Sequence, residues 1–394
     1  MKRNFFLCLL SFFCLFPEIY ALSDSIRISL LTVLPRSNEV YTVFGHTAIR
    51  ITDASGKPDL VFNYGTFDSS RPGFIPNFLI GKLDYCLSVD DYESFCYHYT
   101  ATHSTVIEQV LALSAAEKEK MIALLSDNML PQHRNYRYSY FYDNCATRPR
   151  NLIEQCCDGT LIYPASHART TFRTLVHQCT DPYSLWYTFG IDLLIGSGAD
   201  SIITNTDEQF LSVKLMESLE RTGVAVAGLQ TPIVASSSVI IDAGSDNIPH
   251  STGAGFSPML AGWCLLTLCL LLLCRRFFLN KSSRYFFSAL FFITGLAGCL
   301  LFLISVCSTH PCTYPNWNLF WIHPLQLIPA VGFLLKKTYP PVRWYHWSNF
   351  VLLSFLLLGW SLIPQRLNAA FIPFILCLWV ISGYMSIIDA KLRK

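Results

Sequence analysis

Cys145 stands in the string Tyr140-Phe141-Tyr142-Asp143-Asn144-Cys145-Ala146-Thr147-Arg148-Pro149-Arg150, directly after an aromatic, strand-like run. Asp143 and Asn144 are N-cap residue types, which puts Cys145 in the first turn of a helix. Free backbone N–H groups and the helix dipole lower a thiol pKa there, and Arg148 and Arg150 add positive charge. Pro149 removes an intrahelical hydrogen bond if the helix begins at Cys145, so the helix starts a residue or two later or has an irregular first turn. About a hundred residues earlier lies Val43-Phe44-Gly45-His46-Thr47-Ala48-Ile49-Arg50. A histidine on a separate strand can serve as base to such a thiol, and the pair would perform nucleophilic acyl chemistry. The plainer readings are a buried or disulfide-bonded cysteine and a satisfied strand histidine. His98, His103, His133, His167 and His177 lack a comparable context. A third group to orient the imidazole is sought in Phe62-Asn63-Tyr64-Gly65-Thr66-Phe67-Asp68, on or after the strand paired with that of His46. Asn63 is favoured, with Tyr64 or Asp68 shaping the pocket.

The elements that must hold these groups are mixed. Ile26 to Val33, Val40 to Thr52 and Leu60 to Tyr64 read as strands, the last two forming a hairpin around the turn Asp53-Ala54-Ser55-Gly56-Lys57-Pro58. Thr105 to Leu113 looks extended. Ser114-Ala115-Ala116-Glu117 is a capping box, and Met121, Leu124, Leu125 and Met129 give the following helix one apolar face. Tyr136 to Tyr142 reads as an aromatic strand or extended entry, and Glu208 to Thr222 as another helix. Strands and helices without regular βαβ alternation suggest α+β. Residues 230–257 are rich in Ser, Gly, Ala and Pro and read as a connection, with Ser238 to Ile241 as a candidate final strand.

The chain of 394 residues is 52% hydrophobic and 14% charged, with mean hydropathy +0.36. That is too apolar for an ordinary soluble protein, whose charged share is about 25%. Net charge is +2 with no long basic run, which argues against a nucleic-acid partner. Met1-Lys2-Arg3-Asn4, the apolar run Phe5 to Phe16 and Ala21 read as a secretory signal over 1–21, with an uncleaved anchor as the alternative. No lipobox precedes Cys14. Of 15 cysteines, those in apolar segments are expected to pack as small hydrophobes, and some exported ones to pair. None shows convincing zinc spacing.

An exported domain over 22–257 is followed by a membrane domain over 258–390, with apolar spans at about 258–274, 285–307, 318–335, 348–363 and 371–388. Arg275, Arg276, Lys281 and Arg284 follow the first span, Lys336, Lys337 and Arg343 the third, and Lys391, Arg393 and Lys394 the fifth. The positive-inside rule makes these ends cytoplasmic and puts residues 22–257 outside, as the signal does independently. One span is enough for an anchor, so five suggest a bundle that holds or positions a lipid. The outward loop Ser308-Thr309-His310-Pro311-Cys312-Thr313-Tyr314-Pro315-Asn316-Trp317-Asn318 is polar and aromatic. His310, Asn316, Trp317 and Asn318 are candidate pocket residues there, and an interfacial aromatic belt is the alternative.

The strings Phe44–Arg50, Asn63–Asp68 and Tyr140–Arg148 resemble the periplasmic domain of the Lnb-type bacterial lipoprotein N-acyltransferases. Gly190-Ile191-Asp192 with Gly196 and Asp200, and Asn316-Trp317-Asn318, look similar too. The resemblance covers most of the chain, and Pro149 departs from the pattern. His before Cys is opposite to the usual papain order and fits a circularly permuted, NlpC/P60-like papain fold ahead of a five-helix membrane bundle. The resemblance implies a bacterial inner-membrane enzyme that moves a fatty acyl chain from a phospholipid or other acyl-lipid donor, through a Cys145 thioester. The acceptor would be the α-amine of a diacylglyceryl-cysteine lipoprotein. Pocket roles for Tyr64, Asp68, Asn144 and Arg148 go with it, and no metal or organic cofactor is needed. Two other readings remain: a membrane-tethered thiol amidase or peptidase acting on cell-wall peptide or protein, and a non-catalytic assembly factor.

Overall fold

The computed structural model describes residues 25–36, 39–68, 70, 72–165, 169–226, 228–244, 255–279, 281–335 and 340–391. The expected signal over 1–21, His167, Lys336, Lys337, Arg393 and Lys394 lie outside them. The chain forms two compact units. The first holds residues up to 69, 84–167 and 204–248; the second holds 70–83, 168–203 and 249–394.

The first unit is mixed α and β. Its strands are β1 (Ile26–Val33), β2 (His46–Asp53), β3 (Asp59–Thr66), β4 (Asp84–Asp91), β5 (Val106–Leu111), β6 (Asn135–Arg137), β7 (Thr160–Ile162), β8 (Gly223–Val226), β9 (Leu229–Pro232) and β10 (Val234–Ile241). Seven of them form an antiparallel sheet in the order β10-β5-β1-β2-β3-β4-β6, and β7-β8-β9 form a smaller one. Side chains alternate between the faces of the large sheet, as a period of two requires. Ile28, Leu30, Ile49 and Ile51 pack with Met121, Leu125, Leu152, Ile153, Leu215 and Leu219 from three helices. Leu31, Val33, Ala48 and Val61 pack with Phe95 of the Tyr92–Ala101 helix on the other face.

Arg50 fixes the hairpin of β2 and β3. Its guanidinium makes paired bonds of 2.8 and 2.7 Å to Asp59 and one of 3.0 Å to buried Glu108. It also lies 3.4 Å over the Tyr92 ring. The capping box at Ser114 is formed in both directions, and the Ala115–Met129 helix buries Met121 and Leu125 as its periodicity requires.

Three expectations are corrected. Val40 to Phe44 is a 3-10 turn and β2 begins at His46, because Gly45 adopts φ 73° between them. Only Asn135–Arg137 of the aromatic run is strand; Ser139 to Asp143 is a closed turn, in which the Asp143 N–H bonds the Ser139 carbonyl at 2.9 Å. The helix expected over Glu208 to Thr222 is two, Asn205–Glu208 and Ser212–Glu220. Within 230–257 the candidate final strand over Ser238 to Ile241 is present as part of β10, an edge strand of the large sheet.

The second unit is helical. Among the described residues, three helices are long and apolar enough to cross a membrane: Pro258–Leu279, Arg284–Cys307 and Ala369–Ile387. They pack around Leu266, Cys269, Phe287, Phe291, Phe371, Ile375 and Leu378. Pro340–Leu358 is a further long helix. The span expected over 318–335 is not one helix but two short turns, Trp317–Phe320 and Pro324–Gln326, followed by Leu327–Leu334. His323-Pro324 accounts for the break, since a proline disfavours helical backbone in the residue before it.

Residues 168–203 join this unit through a buried polar cluster. Arg173 is fully buried on the Phe172–Thr180 helix. It bonds Asp192 at 2.6 Å, Asp200 at 2.7 and 3.0 Å and the carbonyls of Ile195 and Gly196. Asp192 also receives His177 at 2.9 Å and Asn368 at 2.8 Å.

Candidate active site

The site is built on the first unit, at the start of β2. Ala48 pairs with Asn63, so His46, two residues back on the same face, is the diagonal neighbour of Asn63. Asn63 pairs with Ser88 and Val61 with Asp90, which makes Asp90 the diagonal neighbour of Asn63 in turn. The side chains follow that register. His46 Nε2 lies 3.1 Å from Asn63 Oδ1, and Asn63 Nδ2 donates to Asp90 Oδ2 at 2.9 Å. A carboxylate only accepts, so Asp90 orients the Asn63 amide with its oxygen toward the imidazole. The ring therefore carries its proton on Nε2, which leaves Nδ1 to accept from a thiol.

That thiol is Cys145. It bonds the His46 ring, the Thr47 N–H and the Tyr138 hydroxyl. Burial alone would raise its pKa; the charge of His46 and these three bonds outweigh burial and hold it below the ordinary thiol value. His46 moves the other way. Burial would lower it, but the Cys145 charge and the bonds to Cys145 and Asn63 raise it above the ordinary imidazole value. The two shifts favour a thiolate–imidazolium pair. Cys145 is a free thiol and only partly buried, so it is open to a substrate.

Gly65 makes room for this arrangement. Its φ is +91°, and a Cβ there would lie 3.2 Å from the Tyr138 ring and 3.6 Å from the Cys145 Cβ. The register shift between Asn63 and Thr66 is the bulge that carries it.

The helix after Cys145 runs Thr147–Cys156, so Pro149 is its third residue, where an N–H has no intrahelical partner anyway. Asn144 caps this start. Its Oδ1 accepts from the Ala146 and Thr147 N–H groups at 2.8 and 2.9 Å, and its Nδ2 donates to the Tyr140 and Phe210 carbonyls. Asn144 thus sets the position of Cys145 from behind and engages the Ala146 and Thr147 N–H groups.

The other expected pocket residues have structural places. Tyr64 is buried in the core and its hydroxyl accepts from Asn128 at 2.7 Å. Burial pushes its phenol up to about 12. Arg148 grips Asp143 with bonds of 2.6 and 2.8 Å and lies 3.4 Å over the Tyr136 ring, so its charge is engaged there. Asp68 is exposed beyond the end of β3. His310, Asn316, Trp317 and Asn318 belong to the second unit and are occupied within it. Asn316 and Asn318 are buried and donate to the Leu193, Leu194 and Asp192 carbonyls at the end of the Leu185–Leu194 helix. The Trp317 N–H donates to Gln365 at 2.8 Å, and His310 meets the Phe78 carbonyl at 2.6 Å.

Sequence reading missed Tyr138 and Asp90. Asp90 shares a period-two face with Cys86 and Ser88, a signal that needed β4 to be recognised as a strand. Tyr138 is one of four tyrosines between residues 136 and 142, with nothing local to single it out.

Comparison with known families bears on this arrangement. Residues 16–178 match the Lnb N-terminal periplasmic domain, and residues 250–393 match the Lnb transmembrane domain. The chain belongs to the Lnb family. The first match contains Cys145, His46, Asn63, Asp90 and Tyr138; the second contains the three long apolar helices. Searches of curated proteins and of solved structures gave no match. Family membership makes this a bacterial membrane protein with a periplasmic domain and suggests an enzyme of lipoprotein maturation.

Proposed function

We propose that the protein is a lipoprotein N-acyltransferase working through a Cys145 thioester. The observation that carries this reading is the Cys145 thiol held by His46, Thr47 and Tyr138 in a chain that also has the family's membrane domain. His46 Nδ1 takes the thiol proton. The thiolate attacks the ester carbonyl of a membrane lipid, the lipid alcohol leaves with the proton from His46, and a thioester remains. The α-amine of a diacylglyceryl-cysteine then attacks the thioester carbonyl and gives a proton to His46. The amide forms as the sulfur departs as thiolate. Asn144 holds the Ala146 and Thr147 N–H groups, so the Cys145 N–H and the Tyr138 hydroxyl are the groups proposed to meet the oxyanion.

The finer architecture belongs to the same proposal. A histidine on an early strand and a cysteine ahead of a later helix fit a permuted papain-like domain. Five crossings are proposed: the three long apolar helices, Pro340–Leu358 and the broken segment 317–335, with Arg275, Arg276, Lys281, Arg284 and Arg343 on the cytoplasmic side. The dyad alone would equally serve a thiol hydrolase; the membrane domain favours a lipid donor. The test is incubation of purified protein with phospholipid, then with a diacylated lipopeptide. An acyl group on Cys145 that passes to the peptide amine supports the reading; hydrolysis with no transfer opposes it.

A further inference from the structure

Residues 70–83 separate β3 from β4 in sequence but belong to the second unit. Their centre is the uncharged string Phe74-Ile75-Pro76-Asn77-Phe78-Leu79-Ile80. The short Phe74–Leu79 helix buries none of its side chains, although four of the six are large and apolar. Ile75 is 67% exposed and Phe78 46% exposed. Water is a poor solvent for such a surface, and soluble proteins rarely leave one uncovered.

The position of the segment says what covers it. The Thr309 N–H donates to the Ile80 carbonyl at 3.0 Å, and Thr309 Oγ1 to the Gly81 carbonyl at 2.8 Å. His310 Nε2 meets the Phe78 carbonyl at 2.6 Å, and their rings lie 6.0 Å apart. Gly81, at φ +70°, is required for this approach: a Cβ there would lie 2.7 Å from Thr309 Oγ1. Thr309 comes two residues after the end of the apolar helix Arg284–Cys307. A helical residue advances about 1.5 Å, so the segment is pinned at the level where that helix leaves the hydrocarbon. The helix itself presents Ile293, Leu296, Leu300 and Val306 outward, a surface whose solvent is lipid. Those bonds hold the apolar string 74–80 beside the end of that helix, and the exposed Lys82 follows it, a long cationic side chain of the kind that reaches lipid phosphate.

From this we infer that residues 74–80 form an interfacial insert whose Ile75 and Phe78 lie among phospholipid acyl chains. The inference rests on the membrane character of Arg284–Cys307, not on the thiol chemistry. It assigns a lipid-contacting role to a segment spliced between the two strands that carry Asn63 and Asp90.

The experiment uses the full chain in nanodiscs of phosphatidylethanolamine and phosphatidylglycerol. The photoreactive residue p-benzoylphenylalanine replaces Ile75, Phe78 or, as a reference on a membrane helix, Leu271, and peptides are read by mass spectrometry after irradiation. None of these side chains is buried, so the fold tolerates the substitutions. Phospholipid adducts at 75 and 78 as well as 271 are expected. Adducts at 271 alone would overturn the inference. N-acylation measured on the same samples is read separately: lipid adducts without acyl transfer would sink the proposed activity and leave the interfacial insert standing.

Discussion

At the scale of the residue, the account turns on the electrostatics of Cys145. Its thiol is held below the ordinary 9.0 and His46 above the ordinary 6.5. The lowered thiol and the raised imidazole both favour a charged sulfur facing an imidazolium. The rate of iodoacetamide alkylation should therefore rise with pH through an inflection below 9.0, and His46→Ala should move that inflection upward. The same substitution should cost about 10²- to 10⁴-fold in acyl transfer, the usual worth of general acid–base catalysis. Tyr138→Phe removes a hydroxyl donated to the thiolate. It should also raise the alkylation inflection and slow transfer by about tenfold or more, as loss of a hydrogen bond to a charged group does. Unchanged alkylation in both variants would mean that neither group touches the sulfur in solution. The His–Cys pair and Asn63 were legible in sequence because each sits in a distinctive string. Tyr138 and Asp90 were not, because their roles arise from strand register and from the open space at Gly65, which sequence spacing does not encode.

At the scale of the element, the β2–β3 hairpin and the Thr147–Cys156 helix do the positioning. Arg50 links β2 to Asp59 and to buried Glu108. Arg50→Leu leaves that carboxylate without its partner and should cost about 3–5 kcal/mol, the penalty of breaking a buried pair from one side. Thermal unfolding in detergent would read it as a lower midpoint. Gly65→Ala meets a different obstacle: a side chain at φ +91° costs about 1–2 kcal/mol, and its Cβ crowds the Tyr138 ring. It should lower kcat more than it lowers the unfolding midpoint; the reverse result would show that the bulge serves stability alone. The strands of this hairpin were legible from β-branched alternation. The start of β2 was not, since Val40 to Phe44 has strand composition but turns back before Gly45.

At the scale of the whole molecule, the two units are assembled from interleaved stretches of chain, which a reading by continuous segments could not see. Apolar length pointed to the three helices that are long enough to cross a membrane, but the partners of residues 168–203 depend on single buried contacts such as Arg173 with Asp192. Burial would raise the Asp192 carboxyl; His177 and Arg173 outweigh it and hold it below the ordinary 3.8. A depressed carboxylate stabilises the fold above its unfolded value and loses that contribution as pH falls through the folded one. The unfolding midpoint should therefore drop as the medium is acidified below about pH 4. Asp192→Asn should unfold at lower temperature at neutral pH and show a flatter acid dependence. A wild-type midpoint insensitive to acid would remove the cluster from the account of stability.

The central claim is acyl transfer by Cys145 onto lipoprotein amines, and the most direct measurement is mass spectrometry of lipoprotein N-termini. The host would be cells that lack their own N-acylating activity and carry either this chain or its Cys145→Ala form, with the protein confirmed in the membrane. A third acyl chain on the α-amine with the wild-type chain, and its absence with Cys145→Ala, is the predicted result. Diacylated N-termini in both, or a third chain in both, would contradict it.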